Sequence, residues 1–233
     1  FLEDFLQKNR DKYENVFIVT ESLFSMDGDF ADIKRIVEIK KRYDCFVYLD
    51  EAHSIGVYGE GRGLAYEVGC LDDIDIFVGT FGKSFSSVGG FVSTNDIFYD
   101  LIINYCRTLI FTTALPPVVI NWNLFILNEM SRFNEKRRKL FENSNKLRNR
   151  IKELNLQTSG ESYIIPIIIG DSKETITLFS YLKGKGILTS AVRPPTVPIG
   201  TARIRLSLNP LVDDEDIHIF IEALNLWRGK YEN

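Results

Sequence analysis

The sequence predicts an α/β fold: a large domain on a mostly parallel β-sheet, followed by a smaller α+β domain. Three observations carry this. Apolar runs at 16–19, 46–49 and 74–78 have the length of buried strands. The stretch between the first two has a helical period, which makes a βαβ crossover and therefore parallel strands. Beyond residue 160 apolar runs and helical stretches follow in the order strand, helix, strand, strand, helix, as in a compact α+β layer.

In order along the chain, residues 1–10 mix apolar and charged side chains at helical spacing, and 15–20 reads as a short buried strand centred on Val16, Phe17, Ile18 and Val19. Residues 32–43 set Ile33, Ile36, Val37 and Ile39 against Lys34, Arg35, Lys40, Lys41 and Arg42. That is an amphipathic helix, with Asp32 or Asp29 as its N-cap. Strands follow at 45–49 and 74–78, the second a further parallel member, then a short strand at 90–93 and a helix at 95–106. Pro116 and Pro117 open a helical stretch from 117 to 154, whose Lys/Arg/Glu-rich part at 135–150 reads as a long, mostly solvated surface. This stretch spans the domain boundary, with the large domain at 1–130 and the small domain at 131–233. The small domain holds an apolar run at 164–169, a helix at 173–183, strands at 187–192 and 203–208, and a closing helix at 213–227.

Composition excludes several classes. With 233 residues and 45% hydrophobic content the chain can bury a sizeable core. Its formal net charge of -4 argues against a partner held by a phosphate backbone, which demands dense positive charge, so no nucleic acid is expected. Cys45, Cys70 and Cys106 are odd in number and lack metal-ligand spacing, so no metal site and a reduced, cytoplasmic setting are expected. No apolar run approaches the roughly 20 residues that span a bilayer, and no membrane partner is expected.

The chemistry concentrates at two strand ends. Lys83 follows the run ending at Thr80, hemmed by Gly82 and Ser84 at the mouth of a strand, where burial would lower its pKa and expose a nucleophilic amine. Asp50 ends the preceding run, with His53 three residues on. Ligands collect outside the carboxyl ends of parallel strands, so Asp50 and Lys83 are expected in one crevice. A carboxylate facing a Schiff-base lysine is the pairing of pyridoxal phosphate enzymes.

Four segments carry a resemblance: 21–29 (Glu-Ser-Leu-Phe-Ser-Met-Asp-Gly-Asp), 50–56 (Asp-Glu-Ala-His-Ser-Ile-Gly), 79–83 (Gly-Thr-Phe-Gly-Lys) and 111–117 (Phe-Thr-Thr-Ala-Leu-Pro-Pro). Together they resemble the α-oxoamine synthases, which join an amino acid to an acyl thioester on pyridoxal phosphate. The run 193–206, from Arg193-Pro194-Pro195-Thr196 to Arg205-Leu206, is similar to the branch that uses L-alanine and a pimeloyl thioester to make 8-amino-7-oxononanoate in biotin biosynthesis. A glycine C-acetyltransferase or serine palmitoyltransferase of the same family, or a non-catalytic partner subunit, are the alternatives. The first two keep the cofactor chemistry and change the substrates; the third is expected to lack Lys83.

The resemblance implies a fold-type I (aspartate aminotransferase-like) large domain, incomplete at its N-terminus. The family's glycine-rich cofactor-phosphate segment and ring-stacking histidine have no counterpart here, and Ser86-Ser87 stands where a glycine-containing turn is common. It further implies Lys83 as cofactor tether and acid/base catalyst and Asp50 as partner of the ring nitrogen. His53 falls to the phenolic oxygen, Thr80 to the phosphate and Ser25 beside the ring, with Glu21 behind it. Thr112 and Thr113 lie on a loop that in the family reaches the phosphate of a second subunit, so a homodimer with shared active sites is expected. Arg205 is implied for the substrate carboxylate, where a bidentate guanidinium is apt, and Arg193 and Thr196 for the acyl side. The glycine-rich stretch 59–63 lacks the dinucleotide fingerprint and is expected to be a flexible loop by the site, and His218 a surface residue.

Overall fold

The computed structural model describes residues 1–231, which fall into two compact units: Phe1–Leu23 with Ala31–Asn134, and Phe24–Phe30 with the chain from Glu135 onward. In the first unit, helix α1 (Leu2–Asn9) precedes strand β1 (Phe17–Glu21), helix α2 (Ile33–Tyr43) and strand β2 (Phe46–Asp50). The short helix α3 (Leu64–Glu67) and strands β3 (Ile76–Thr80) and β4 (Gly90–Thr94) follow, then helices α4 (Asp96–Tyr105), α5 (Arg107–Ile110) and α6 (Pro117–Glu129). The sheet order is β1-β2-β3-β4, with the first three strands parallel.

Strand β4 runs antiparallel to β3. The nine residues joining them are too few for a crossover, which takes a dozen or more, so the chain can only turn back. Helix α2 forms where its period requires it. Asp32 is its N-cap and accepts from the Arg35 N–H at 3.0 Å, while Ile33, Val37 and Ile39 are buried. Lys40 reaches Asp75 at 2.7 Å, and the same carboxylate accepts from the Val47 N–H at 2.7 Å, tying the helix to the start of β3. Strand β1 differs from the expected fully buried run: Ile18 is buried, but Phe17 and Val19 on the opposite face are exposed, because the strand's period of two gives it two faces.

In the second unit, helix α7 (Asn134–Glu153) leads to strand β5 (Ile164–Gly170), helix α8 (Ser172–Gly184), strands β6 (Ser190–Val192) and β7 (Ala202–Ser207), and helix α9 (Asp214–Tyr231). The antiparallel order is β5-β7-β6. Ile151, Ile164, Ile165, Ile167, Leu178, Leu182, Ile204 and Leu224 are fully buried. Burying one such side chain contributes about 1.5–3 kcal/mol, so this cluster is the unit's main source of stability.

The helical stretch expected from 117 to 154 is broken by a 3₁₀ turn at Met130–Phe133. The charged run within it is less solvated than expected: Arg137, Leu140, Ser144, Leu147, Arg148 and Ile151 form a buried face at helical spacing. Arg148 sits inside because it donates to the Ser162 carbonyl. The strand expected at 187–192 begins only at Ser190, since the Ile187 N–H closes the end of α8 on the Leu182 carbonyl at 3.0 Å.

Candidate functional site

The carboxyl edge of the parallel sheet carries Glu21, Asp50 and Thr80, followed by the loops of His53 and Lys83. Register sets Glu21 beside Asp50 and Asp50 beside Val78, so Asp50 and Thr80, two residues beyond Val78, end adjacent strands at one edge. The part-buried Asp50 accepts from the Ala52 N–H at 2.8 Å, which orients its carboxylate and holds the first turn of the following loop.

Behind this edge lies a carboxylate that sequence reasoning did not single out. Glu51 is fully buried. It accepts from the Ser22 hydroxyl at 2.8 Å, the Leu64 N–H at 2.9 Å, the Ala65 N–H at 2.7 Å and the Ser54 hydroxyl. The two N–H groups open α3, so the carboxylate satisfies donors that a helix start leaves without a partner. Burial, the largest influence, still pushes the Glu51 carboxyl above its usual range, against the pull of these donors. A hydrophilic residue directly after a strand, with serines at 22 and 54, was the available signal; that all four donors converge was not readable.

The loops after β2 and β3 touch. Ser84 donates to the Ile55 carbonyl at 2.7 Å, and Gly56 at φ +83° has no room for a Cβ, which would lie 2.3 Å from the Ser84 Oγ. Residues 53–56 and 82–85 are thus held against one another, bringing His53 and Lys83 to the same region. The second loop is anchored by Phe85, which is buried, stacks edge-on with Phe81, and whose carbonyl accepts from the Trp122 indole at 3.0 Å. The Thr80 hydroxyl closes the turn, accepting from Gly82 at 3.1 Å and donating to the Gly89 carbonyl at 3.2 Å.

One expectation about this loop fails. Lys83 is exposed, not shielded at the strand mouth, because the glycines and serines around it are too small to cover its side chain. The stretch 59–63 is also an ordered turn, not a flexible loop. Gly59 donates to the Glu67 carboxylate at 2.7 Å, Gly61 and Gly63 donate to the Tyr58 carbonyl, and Gly61 accepts from Gly56. A Cβ on Gly63, at φ +101°, would lie 2.9 Å from the Glu51 carboxylate. Thr112 and Thr113 are exposed in the loop between α5 and α6. A cavity of about 710 Å³ elsewhere in this unit, walled by Ile55, Arg62, Phe77, Phe91 and Leu127 among others, includes none of Asp50, His53, Thr80 or Lys83.

The second unit carries the remaining residues. Arg205 is part-buried and donates through Nη1 to the Ser25 carbonyl at 2.9 Å, so Ser25 and Arg205 lie together. Burial pushes the nearby Tyr163 phenol up to about 12, with the charge of Arg205 pulling the other way. Arg193 and Thr196 are exposed. His218 is exposed near Glu222. No group of three or more His, Cys, Asp or Glu able to hold a metal occurs among the described residues, and no helix among them is long and apolar enough to cross a membrane.

Comparison with known proteins identifies the family. Residues 2–224 match the family described as aminotransferase class I and II. The chain is 43% identical over 229 residues to 8-amino-7-oxononanoate synthase of Chlorobaculum parvum, covering 98% of this chain and 58% of that relative. Among solved structures it is similar to serine palmitoyltransferase of Sphingomonas wittichii, with a TM-score of 0.90, 28% identity, and 98% and 59% of the two chains covered. It is also similar to 8-amino-7-oxononanoate synthase of Francisella tularensis, with a TM-score of 0.81, 27% identity, and 97% and 66% covered. The chain thus spans 58% of the length of the curated relative it matches at 43% identity.

Proposed function

Since the chain belongs to the class I and II aminotransferase family, we propose that it carries the pyridoxal phosphate centre of an acyltransferase. The reaction joins L-alanine to a pimeloyl thioester with loss of carbon dioxide, giving 8-amino-7-oxononanoate for biotin biosynthesis. The observation that carries this reading is the carboxyl edge of the parallel sheet, where Asp50 and Thr80 end neighbouring strands and the loops of His53 and Lys83 are bonded together. These residues fit the cofactor's chemistry: a carboxylate for its ring nitrogen, a hydroxyl for its phosphate and a solvent-reachable amine for its aldehyde.

When bound, pyridoxal phosphate supplies an electron sink for charge developing at the amino acid Cα. Lys83 would hold the cofactor through its amine and would be the group that moves a proton at that Cα. Asp50, oriented by Ala52, keeps the ring nitrogen protonated, and His53 donates to the phenolic oxygen. Thr80 binds the phosphate, Ser25 flanks the ring, and Thr112 and Thr113 serve the phosphate site of a second copy in a homodimer. Arg205 binds the substrate carboxylate, and Arg193 and Thr196 face the acyl chain. In this reading residues 1–130 belong to the cofactor-binding domain, residues 131–233 form the small domain, and the enzyme works in the cytoplasm.

The backbone likeness to serine palmitoyltransferase favours a second reading with L-serine and a longer acyl thioester. The 43% identity to a synthase of 8-amino-7-oxononanoate supports the first reading, while the solved structures of the two kinds of enzyme are 27% and 28% identical to this chain. The test has two parts. Borohydride reduction of the holoenzyme should fix a pyridoxyl group on the peptide containing residues 80–85, and in Lys83→Ala it should not. Turnover should then be measured with L-alanine and L-serine against acyl thioesters of several lengths. Label on another lysine sinks the assignment of Lys83, and preference for L-serine with long chains selects the second reading.

A further inference from the structure

We propose that Arg203 and Asp27 form a positioning pair for the amino-acid site: together they hold the turn 24–30 so that the Ser25 carbonyl fixes the guanidinium of Arg205. This rests on the reading that Arg205 takes the substrate carboxylate. The alternation of β7 puts Arg203 and Arg205 on one face and the buried Ile204 and Leu206 on the other. The two arginines then do different work. Arg203 is 4% exposed and committed to the turn and its own strand: Nη1 donates to the Asp27 carboxylate and to the Met26 carbonyl at 3.3 Å, and Nε to the Thr201 carbonyl at 3.0 Å. Arg205 spends Nη1 on the Ser25 carbonyl at 2.9 Å, while its buried Nε has no hydrogen-bond partner in the described structure. A guanidinium fixed at one corner with donors left over is the state in which a carboxylate is bound with least ordering cost.

The turn is a built element that both arginines grip. Gly28 is buried at φ +70°, and a Cβ there would lie 2.2 Å from the Ile164 carbonyl oxygen. Its own carbonyl accepts from the N–H groups of Glu161 at 3.1 Å and Ser162 at 3.2 Å, and the Asp27 carbonyl accepts from the Ser159 hydroxyl at 3.2 Å. These bonds hold residues 27 and 28. Phe24 donates to the Asp29 carbonyl and accepts from the Gly28 N–H, both at 2.9 Å, and the Ser25 and Met26 carbonyls accept from the two arginines, of which Arg203 also pairs with the Asp27 carboxylate. Loss of the Asp27 charge therefore frees Arg203, releases the Met26 carbonyl and lets the Ser25 carbonyl leave Arg205. Arg205 then regains rotamer freedom that substrate binding must remove.

The experiment measures KM for L-alanine and for the acyl thioester, with cofactor uptake, in the holoenzyme and in Asp27→Asn, Asp27→Glu, Arg205→Ala and the double variant Asp27→Asn/Arg205→Ala. Asp27→Asn is close in shape, keeps a side-chain oxygen that can accept from Arg203 and is half-exposed, so it disturbs the fold less than Arg203→Ala, which would leave a hole. It is expected to raise the amino-acid KM about tenfold while leaving the acyl thioester KM and cofactor uptake unchanged. Asp27→Glu, which keeps the charge, should restore most of the loss, and Asp27→Asn should add nothing in the Arg205→Ala background. An unchanged amino-acid KM in Asp27→Asn, or a rise of equal size without Arg205, overturns the positioning role. If instead Arg205→Ala itself leaves the amino-acid KM unchanged, the assignment of Arg205 to the carboxylate falls, and the inference with it.

Discussion

Replacement of Glu51 by alanine is expected to destabilise the fold by about 3–5 kcal/mol at neutral pH. The magnitude follows from its partners. The carboxylate accepts from two backbone N–H groups, Leu64 and Ala65, and two hydroxyls, Ser22 and Ser54, all buried. The hydroxyls lie 2.8 Å apart and can satisfy one another once the acid is gone, so they cost little. The N–H groups have no substitute, and each buried donor left without an acceptor costs about 1–3 kcal/mol. Removing the side chain adds a cavity term, partly offset because a buried carboxylate no longer has to be kept from water. Glu51→Gln keeps the volume but turns an N–H toward one of the two donors, and should lose about half as much. The wild type and both variants should be compared by urea unfolding across pH 4 to 8. Burial raises the folded pKa of Glu51 above its ordinary 4.5. The proton-linked part of its contribution is therefore full below about pH 4.5 and is lost as pH rises through the raised value, so the gap between wild type and Glu51→Gln should narrow with rising pH. Losses below about 0.5 kcal/mol for Glu51→Ala, or a gap that widens with pH, would refute this account.

Three further outcomes are expected. Gly28→Ala should destabilise by at least about 2 kcal/mol in denaturant unfolding, because the added Cβ meets a backbone carbonyl at 2.2 Å and the residue sits at φ +70°. Asp50→Asn should keep the 2.8 Å bond from Ala52 and the fold, yet cut kcat by at least about a hundredfold, the ring nitrogen having lost its charged partner. Rate loss under threefold would remove Asp50 from that role. Sedimentation equilibrium should show a dimer, and Thr112→Val with Thr113→Val should weaken cofactor retention in it; a fully active monomer would count against shared sites.

Local regularities carried a large part of the reading. The helix at residues 32–43 and its Asp32 cap were legible because amphipathic period and capping chemistry are properties of a dozen consecutive residues. The shared sheet edge of Asp50 and Thr80 was legible for a related reason: apolar strands joined through a helix must run parallel, and parallel strands align their carboxyl ends. The reading stopped where partners come from far apart in the chain. The run Asp50-Glu51-Ala52-His53 pointed to Asp50 as the strand-end acid but did not tell that Glu51 is buried. Tertiary structure decides that, by converging donors from residues 22, 54, 64 and 65 on Glu51. The same holds for Arg203-Ile204-Arg205, whose alternation reads as a strand with a charged, solvated face. Arg203 can be buried only because Asp27, 176 residues away, neutralises it within the second unit. A charge enters a protein interior only with its partner, and the chain's own order does not say where that partner will be.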